Sequence, residues 1–280
     1  MRRARLVTLT SDLGSFYAAQ VKAILYRSLR PDRVIELTHE LPAHQVMEGA
    51  FLLQHLARGF PRGTVHLAIV DPGVGGVRHP LAIQCRDGSV LVGPDNGLLA
   101  PLASLLGGGK AYRLDPGRIR SYRPRVGATF DGRDLFAPAA AQIALGANIA
   151  ELGAPATYAR LPSAAPGRSK EGARGSVVHV DRFGNAITDL PSEWLPRHSR
   201  RLWLRLGRRR PILADVRPIY ADLARGKVGV LPSSFGSLEI GMRESRASDV
   251  LRVQVGDAVG LNWRGRKLPA RARDGKYRAS

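Results

Sequence analysis

The hydrophobic pattern of this chain changes character once, and that change limits the folds open to it. Up to about residue 155, apolar runs of strand length alternate with stretches of helical spacing. Arg5–Thr10, Val34–Leu37 and Thr64–Val70 read as strands, the third nearly all apolar, as in a strand covered on both faces. Phe16–Arg30, with Tyr17, Val21, Ile24, Leu25 and Leu29 near helical spacing, and Gln45–Leu56 read as helices. Pro31-Asp32 stops the first, and Gly59 with Pro61 ends the second. Strands at Leu81–Cys85 and Ser89–Val92 and a helix at Asp134–Leu145 follow. The order predicts an α/β domain with a largely parallel sheet. Pro155–Gly175, rich in Ala, Pro, Gly and Ser, reads as a linker. Beyond it, Val177–Val180, Leu202–Leu206, Lys227–Leu231, Ser237–Ile240 and Leu251–Gln254 are short strands without a long helix among them, the pattern of a small all-β, barrel-like domain. The expected organisation is an N-terminal α/β domain over 1–160, a linker over 161–175, a C-terminal β-barrel domain over 176–264 and a basic tail over 265–280.

The net charge of +20 raises a nucleic-acid role, and its distribution disfavours one. Seven arginines within 197–210, and seven basic residues against one acid within 264–280, carry +13 of it. Arginine supplies 37 of the 43 basic residues, a bias that a GC-rich coding sequence also produces. Only Trp203 and Tyr277 lie in these stretches, too few aromatics for a base-stacking platform. The single cysteine, Cys85, allows no internal disulfide and no Cys-rich zinc site, and reads as a small buried apolar residue. No apolar run approaches a membrane helix, and Leu6–Leu9 after the basic start is too short for a signal peptide, so a cytoplasmic location is the expectation.

Function should be read in the loops at the carboxyl ends of the strands. Ser11-Asp12-Leu13-Gly14 places a carboxylate that can accept from two vicinal ribose hydroxyls, or cap a helix. In Asp71-Pro72-Gly73-Val74-Gly75-Gly76-Val77-Arg78-His79, Asp71 and Arg78 bracket a sharp turn and can pair across it, for chemistry or simply to close the loop. Gly93-Pro94-Asp95-Asn96-Gly97 is a turn signal. Asp131, in Thr129-Phe130-Asp131-Gly132-Arg133-Asp134, is a site carboxylate or a helix cap. In Asp181-Arg182-Phe183-Gly184-Asn185, the Asn185 carboxamide can read an adenine edge beneath Phe183, or the segment is only a tight turn.

Taken in order, these segments resemble the S-adenosylmethionine (SAM) hydroxide adenosyltransferase family, which includes the bacterial fluorinase and chlorinase. The matching pieces are Ser11–Gly14, Glu36-Leu37-Thr38-His39, Phe60–His66, Asp71–Gly75, Gly93–Leu99, Thr129–Asp134 and Phe183–Asn185, with a weaker echo at Ser234–Ile240. The resemblance implies a homotrimer with the ligand held between the N-terminal domain of one subunit and the C-terminal domain of the next. It implies SAM as substrate with no further cofactor, and adenosine as product. It places Asp12 at the ribose hydroxyls, Phe183 and Asn185 at the adenine, and Phe130, Asn96 and Ser234 among the substrate-binding residues. It also implies a water-handling Asp-Arg-His triad, of which Asp71 and Arg78 match two members, while Asp131 stands where the hydrolases carry His. The loop after Gly14 is about two residues shorter than the family's. Phe235 and Met242 stand where the halogenases have arginines, His44 where they have Trp, and Asp71 where they have Tyr.

If all three are ionised, Asp71, Arg78 and Asp131 sum to −1, a charge that favours a sulfonium cation and repels halide. The reading is therefore hydrolysis of SAM by in-line attack of water on C5′, with Asp71, Arg78 and Asp131 as the catalytic residues. Less favoured are a catalytically weak SAM- or adenosine-binding protein and a SAM-dependent halogenase. A metallohydrolase built on Asp12, Asp71, Asp95 and Asp131 lacks a His, Cys or Glu ligand set and is set aside.

Overall fold

The computed structural model describes residues 4–122, 127–161 and 165–264, so the expected tail over 265–280 lies outside the described residues. The chain divides into two compact units, Met1–Pro162 and Ser163–Ser280.

The first unit runs β1 (Val7–Ser11), α1 (Gly14–Tyr26), β2 (Val34–Thr38), α2 (Val46–Ala57), β3 (Val65–Ile69), β4 (Pro80–Cys85), β5 (Val90–Pro94), α3 (Ala100–Leu105), β6 (Gly109–Leu114), α4 (Ala137–Ala144), α5 (Ile149–Leu152) and β7 (Gly153–Ala156). The seven strands form one sheet in the order β2-β1-β3-β5-β4-β6-β7. β2, β1, β3 and β5 pair in parallel, while β4, β6 and β7 join antiparallel, so five of the seven point one way. β1, β3 and β5 are buried from end to end. Their alternate residues face opposite cores, which explains why the sequence around β3 reads as nearly all apolar. Val65, Leu67 and Ile69 face a core with α1 and α4, whereas Ala68 faces a second core with α2 and α3. The alanines of α4 (139, 140, 141 and 144) let that helix lie close against the strands. His66, on β3, is buried with its Nδ1 2.8 Å from Thr8 Oγ1, and burial pushes its pKa down to about 4.

Three expectations change. The helix expected at 134–145 begins as a π-helical turn over Gly132–Phe136 before α4. The first helix starts at Gly14, directly after the Asp12 loop, and ends at Tyr26. α3, β6 and β7 were not anticipated; β6 alternates exposed Lys110 and Arg113 with Ala111 and Leu114, and is fixed by pairing with β4 and β7 rather than by its own hydrophobicity.

The second unit runs β8 (Gly167–Arg168), β9 (Gly172–Val180), β10 (Ala186–Pro191), β11 (Arg201–Leu206), β12 (Ile212–Val216), β13 (Val228–Pro232), β14 (Ser237–Met242), α6 (Ala247–Leu251) and β15 (Ala258–Asn262). The strands pair in the order β10-β14-β13-β12-β11-β15-β9, and β9 returns to β10, closing a seven-stranded barrel with β8 appended to β9. Six of the pairs are antiparallel; β12 and β13 are parallel, joined by a crossing segment that holds a short turn over Tyr220–Asp222. In β11, Leu202, Leu204 and Leu206 point into the barrel, and Arg201 points out to Asp215 at 2.9 Å. Part of the arginine-rich stretch is thus the solvated side of a period-2 strand. Residues 167–168 and 172–175, expected as linker, are strand, and Leu251–Gln254, expected as strand, is the end of α6 and a turn.

Candidate active site

The crossovers determine where a crevice opens in the first unit. The β1–α1–β2 connection covers one face of the sheet and β2–α2–β3 the other, so the winding reverses between the adjacent strands β1 and β3. Ligands of open α/β sheets bind outside the carboxyl ends of the strands at such a reversal. Asp12 follows β1 and Asp71 lies just beyond β3, and the two loops leave hydrogen-bonded neighbours, with Asp12 N donating to Ile69 O at 3.1 Å.

Asp71, Arg78 and Asp131 meet there. Arg78 Nε donates to both Asp71 carboxylate oxygens, at 2.9 and 3.0 Å, and Nη2 donates to Asp71 Oδ2. The same Nη2 donates to Asp131 Oδ2 at 2.6 Å. The three side chains are only 11, 6 and 4% exposed for Arg78, Asp71 and Asp131 respectively. The Arg78 guanidinium also lies 5.4 Å from the centre of the Phe136 ring. Burial works against its charged form, but hydrogen bonds and charge from Asp71 and Asp131 outweigh that and hold its pKa above the ordinary value. Asp131 begins the π-helical turn yet makes no capping bond with its side chain. Its carboxylate is turned to Arg78 instead.

Gly75 lets the two loops approach. Its φ is +76°, and a Cβ there would stand 2.8 Å from the carbonyl oxygen of Ala128, three residues before Asp131. Asn96 braces the start of the Asp71 loop from β5. Its Nδ2 donates to Val70 O at 2.9 Å and its Oδ1 accepts from Leu98 N at 3.2 Å. Asn96, expected among the substrate-binding residues, also clamps the backbone beside Asp71. Asp95 accepts from Ala159 N at 2.7 Å. Among the described residues no group of three or more His, Cys, Asp or Glu is placed to hold a metal ion.

Asp12 does not cap α1, whose first turn has no side-chain cap. Its Oδ2 accepts from the backbone N–H of His44 at 3.0 Å, and His44 sits in the left-handed region, with φ 65°. Phe130, half-buried, meets Tyr17 edge-on at 5.4 Å, and the Arg133 guanidinium lies 4.7 Å from its centre. Arg133 is held in turn by Asp134, at 2.7 Å, and Gln20, at 2.8 Å. Tyr17 and Phe16 are 51% and 72% exposed, forming an aromatic shelf beside Asp131. Sequence reasoning missed this shelf by assigning Tyr17 to the buried face of α1.

In the second unit, Phe183 and Asn185 line a cleft of about 780 Å³ together with Tyr220, Met242, Arg243 and Arg246. Asp181 organises the turn. Its Oδ1 accepts from Phe183 N and Asn185 N, and its Oδ2 from Asn185 Nδ2, each at 2.9 Å. This leaves Phe183 62% exposed over the cleft and Asn185 nearly buried, with one of its amide hydrogens committed. Tyr220 donates to Glu239 Oε1 at 2.6 Å, and burial raises the pKa of both groups. Ser234 lies apart from Phe183 and Asn185. It occupies the exposed turn between β13 and β14, at the opposite end of β14 from Met242.

The chain matches the SAM hydroxide adenosyltransferase N-terminal domain over residues 7–153 and the C-terminal domain of the same description over 175–260. The (R)-S-adenosyl-L-methionine hydrolase of Salinispora tropica is 37% identical over 261 residues, covering 90% of this chain and 96% of that one. The fluorinase of Actinopolyspora mzabensis is more distant, at 25% over 66% of this chain and 71% of its own. Among solved structures, an uncharacterized conserved protein from Thermotoga maritima superposes with a TM-score of 0.84 at 30% identity, over 91% of this chain and all of that one.

Proposed function

We propose that this chain, which belongs to the SAM hydroxide adenosyltransferase family, hydrolyses S-adenosylmethionine, releasing adenosine and methionine. The observation that carries this reading is the 37% identity, over 90% of the chain, with a SAM hydrolase. The buried Asp71–Arg78–Asp131 cluster at the reversal of the sheet supports it.

The reaction forms a bond between water oxygen and C5′ and breaks the C5′–S bond. Sulfur leaves as a neutral thioether, so little acid help is needed. The demand is for a water held in line and relieved of a proton. A carboxylate of the cluster takes that proton and passes it to solvent. Arg78 fixes both carboxylates and stabilises developing hydroxide. Asp12 holds the ribose hydroxyls, Phe130 lies beside Asp131, and Phe183 and Asn185 take the adenine. SAM is the substrate, and the reading calls for no cofactor or metal. The reading takes the chain as a homotrimer in which each ligand is bound by two subunits. No helix among the described residues is long and apolar enough to cross a membrane, and we assign the enzyme to the cytoplasm.

Incubation with SAM, followed by chromatography, should yield adenosine and methionine in equal amounts. With chloride present, the product should still be adenosine. Formation of 5′-chloro-5′-deoxyadenosine, or no turnover alongside calorimetric binding, would overturn the hydrolase reading.

A further inference from the structure

A chain of side chains runs from the surface of α1 to the residue before Asp12. Lys22 Nζ contacts both oxygens of Glu36 at 3.0 Å. Glu36 Oε2 lies 2.9 Å from His39 Nε2, and His39 Nδ1 lies 2.9 Å from Ser11 Oγ. The Lys22 hydrogen bond is the largest of the influences that hold the Glu36 pKa below the ordinary value, so the carboxylate is an acceptor and His39 Nε2 must donate to it. In neutral His39, Nδ1 then accepts from the Ser11 hydroxyl, whose oxygen accepts in turn from Leu13 N at 3.4 Å.

The order Ser-His-Glu is that of an activated nucleophile, and burial excludes that role. Ser11 is 0% exposed, so no substrate carbon can reach its hydroxyl. What the chain does reach is the Asp12 loop. Three backbone contacts join the same two segments: Gly14 N donates to His39 O at 3.0 Å, Leu41 N to Ser11 O at 3.2 Å, and His44 N to the Asp12 carboxylate itself. The His39 imidazole lies between them, anchored at both ring nitrogens, on Ser11 and on Glu36.

We infer that His39, oriented by Glu36 and Lys22, is a positioning residue that sets the direction of the Asp12 carboxylate toward the ribose hydroxyls. The inference rests on the functional reading above. Asp12 grips the ribose equally in ground and transition states, so misdirecting it weakens binding more than it slows the bound substrate.

The test compares adenosine with 2′,3′-dideoxyadenosine by calorimetry, and KM with kcat for SAM. A hydrogen bond to a charged group makes the wild type prefer adenosine by about 30-fold. In His39→Ala the preference falls to about threefold, with KM for SAM raised about tenfold and kcat lowered by less than about threefold. His39→Asn puts an acceptor where Nδ1 stands and restores the preference; His39→Gln, which reaches only toward Glu36, does not. Ser11→Ala gives the same loss, and supplies the measurement should His39→Ala not fold. Undiminished discrimination in His39→Ala and Ser11→Ala, or a drop in kcat with KM unchanged, overturns the inference alone. A wild type that binds neither nucleoside overturns the functional reading and the inference with it.

Discussion

Replacing Asp131 with asparagine removes one charge and almost no volume, leaving an amide oxygen where the carboxylate accepts from Arg78. The cluster then passes from −1 to neutral while the ion pair between Arg78 and Asp71 stays in place. At about 5 Å from the sulfonium and an effective dielectric of about 20, the lost charge was worth about 3 kcal/mol, or about half that once water in the open site is counted. The KM for SAM should therefore rise about ten- to 200-fold. Adenosine carries no charge, so its inhibition constant should move less than about threefold. The assay is steady-state adenosine release with adenosine as competitor, repeated at two salt concentrations, because an electrostatic loss shrinks as salt rises. Equal weakening of SAM and adenosine would refute the charge argument, since it would mean that Asp131 acts by shape.

Arg78→Ala removes the guanidinium that donates to both Asp71 and Asp131, whose side chains are 6% and 4% exposed; it should cost about 3–5 kcal/mol in urea unfolding, and a loss below about 1 kcal/mol would disprove the buried-pair account. Gly75→Ala meets both a positive φ and the Ala128 carbonyl, so turnover should fall at least about tenfold with a stability cost of about 1–3 kcal/mol, and wild-type kinetics would contradict the loop contact. His66 is held neutral by burial, with a pKa of about 4 against 6.5 unperturbed. Its contribution is whole above pH 6.5 and is lost as the unfolded chain takes up the proton between 6.5 and about 4, about 3 kcal/mol in all. His66→Asn should flatten that part of the stability–pH curve, and an unchanged slope would count against it.

The two-part architecture was legible because period and burial agree. β3 is covered on both faces and reads as a nearly apolar run, and β11 alternates leucine with arginine or tryptophan. Asp71 and Arg78 were legible as a candidate pair because the six residues between them, Pro72-Gly73-Val74-Gly75-Gly76-Val77, bend the chain sharply. Asp131 was drawn in by resemblance, and the sequence left its role open between cap and carboxylate. The clamp that Asn96 places on Val70 was not legible, because the same carboxamide can serve a ligand or a neighbouring carbonyl and only the path of Val70 shows the latter. β6 and β7 were missed because β6 carries exposed Lys110 and Arg113 and β7 is only the four residues Gly153–Ala156, so both take their conformation from a paired neighbour. The link from Lys22 to Ser11 crosses α1, β2 and β1, and no spacing along one element encodes it.

A closed ring with an odd number of strands cannot alternate in direction all the way round; somewhere two neighbours must run the same way. In this seven-membered ring the mismatch falls between β12 and β13. Antiparallel neighbours need only a tight turn, but like-directed ones require the chain to travel back across the barrel end before the next strand can begin. That return journey carries the Tyr220 turn, and Tyr220 forms a wall of the cleft beside Phe183. An insertion in this return path would therefore reshape the cleft without disturbing any strand pairing, making it the place where relatives could change what the barrel recognises while keeping the barrel itself.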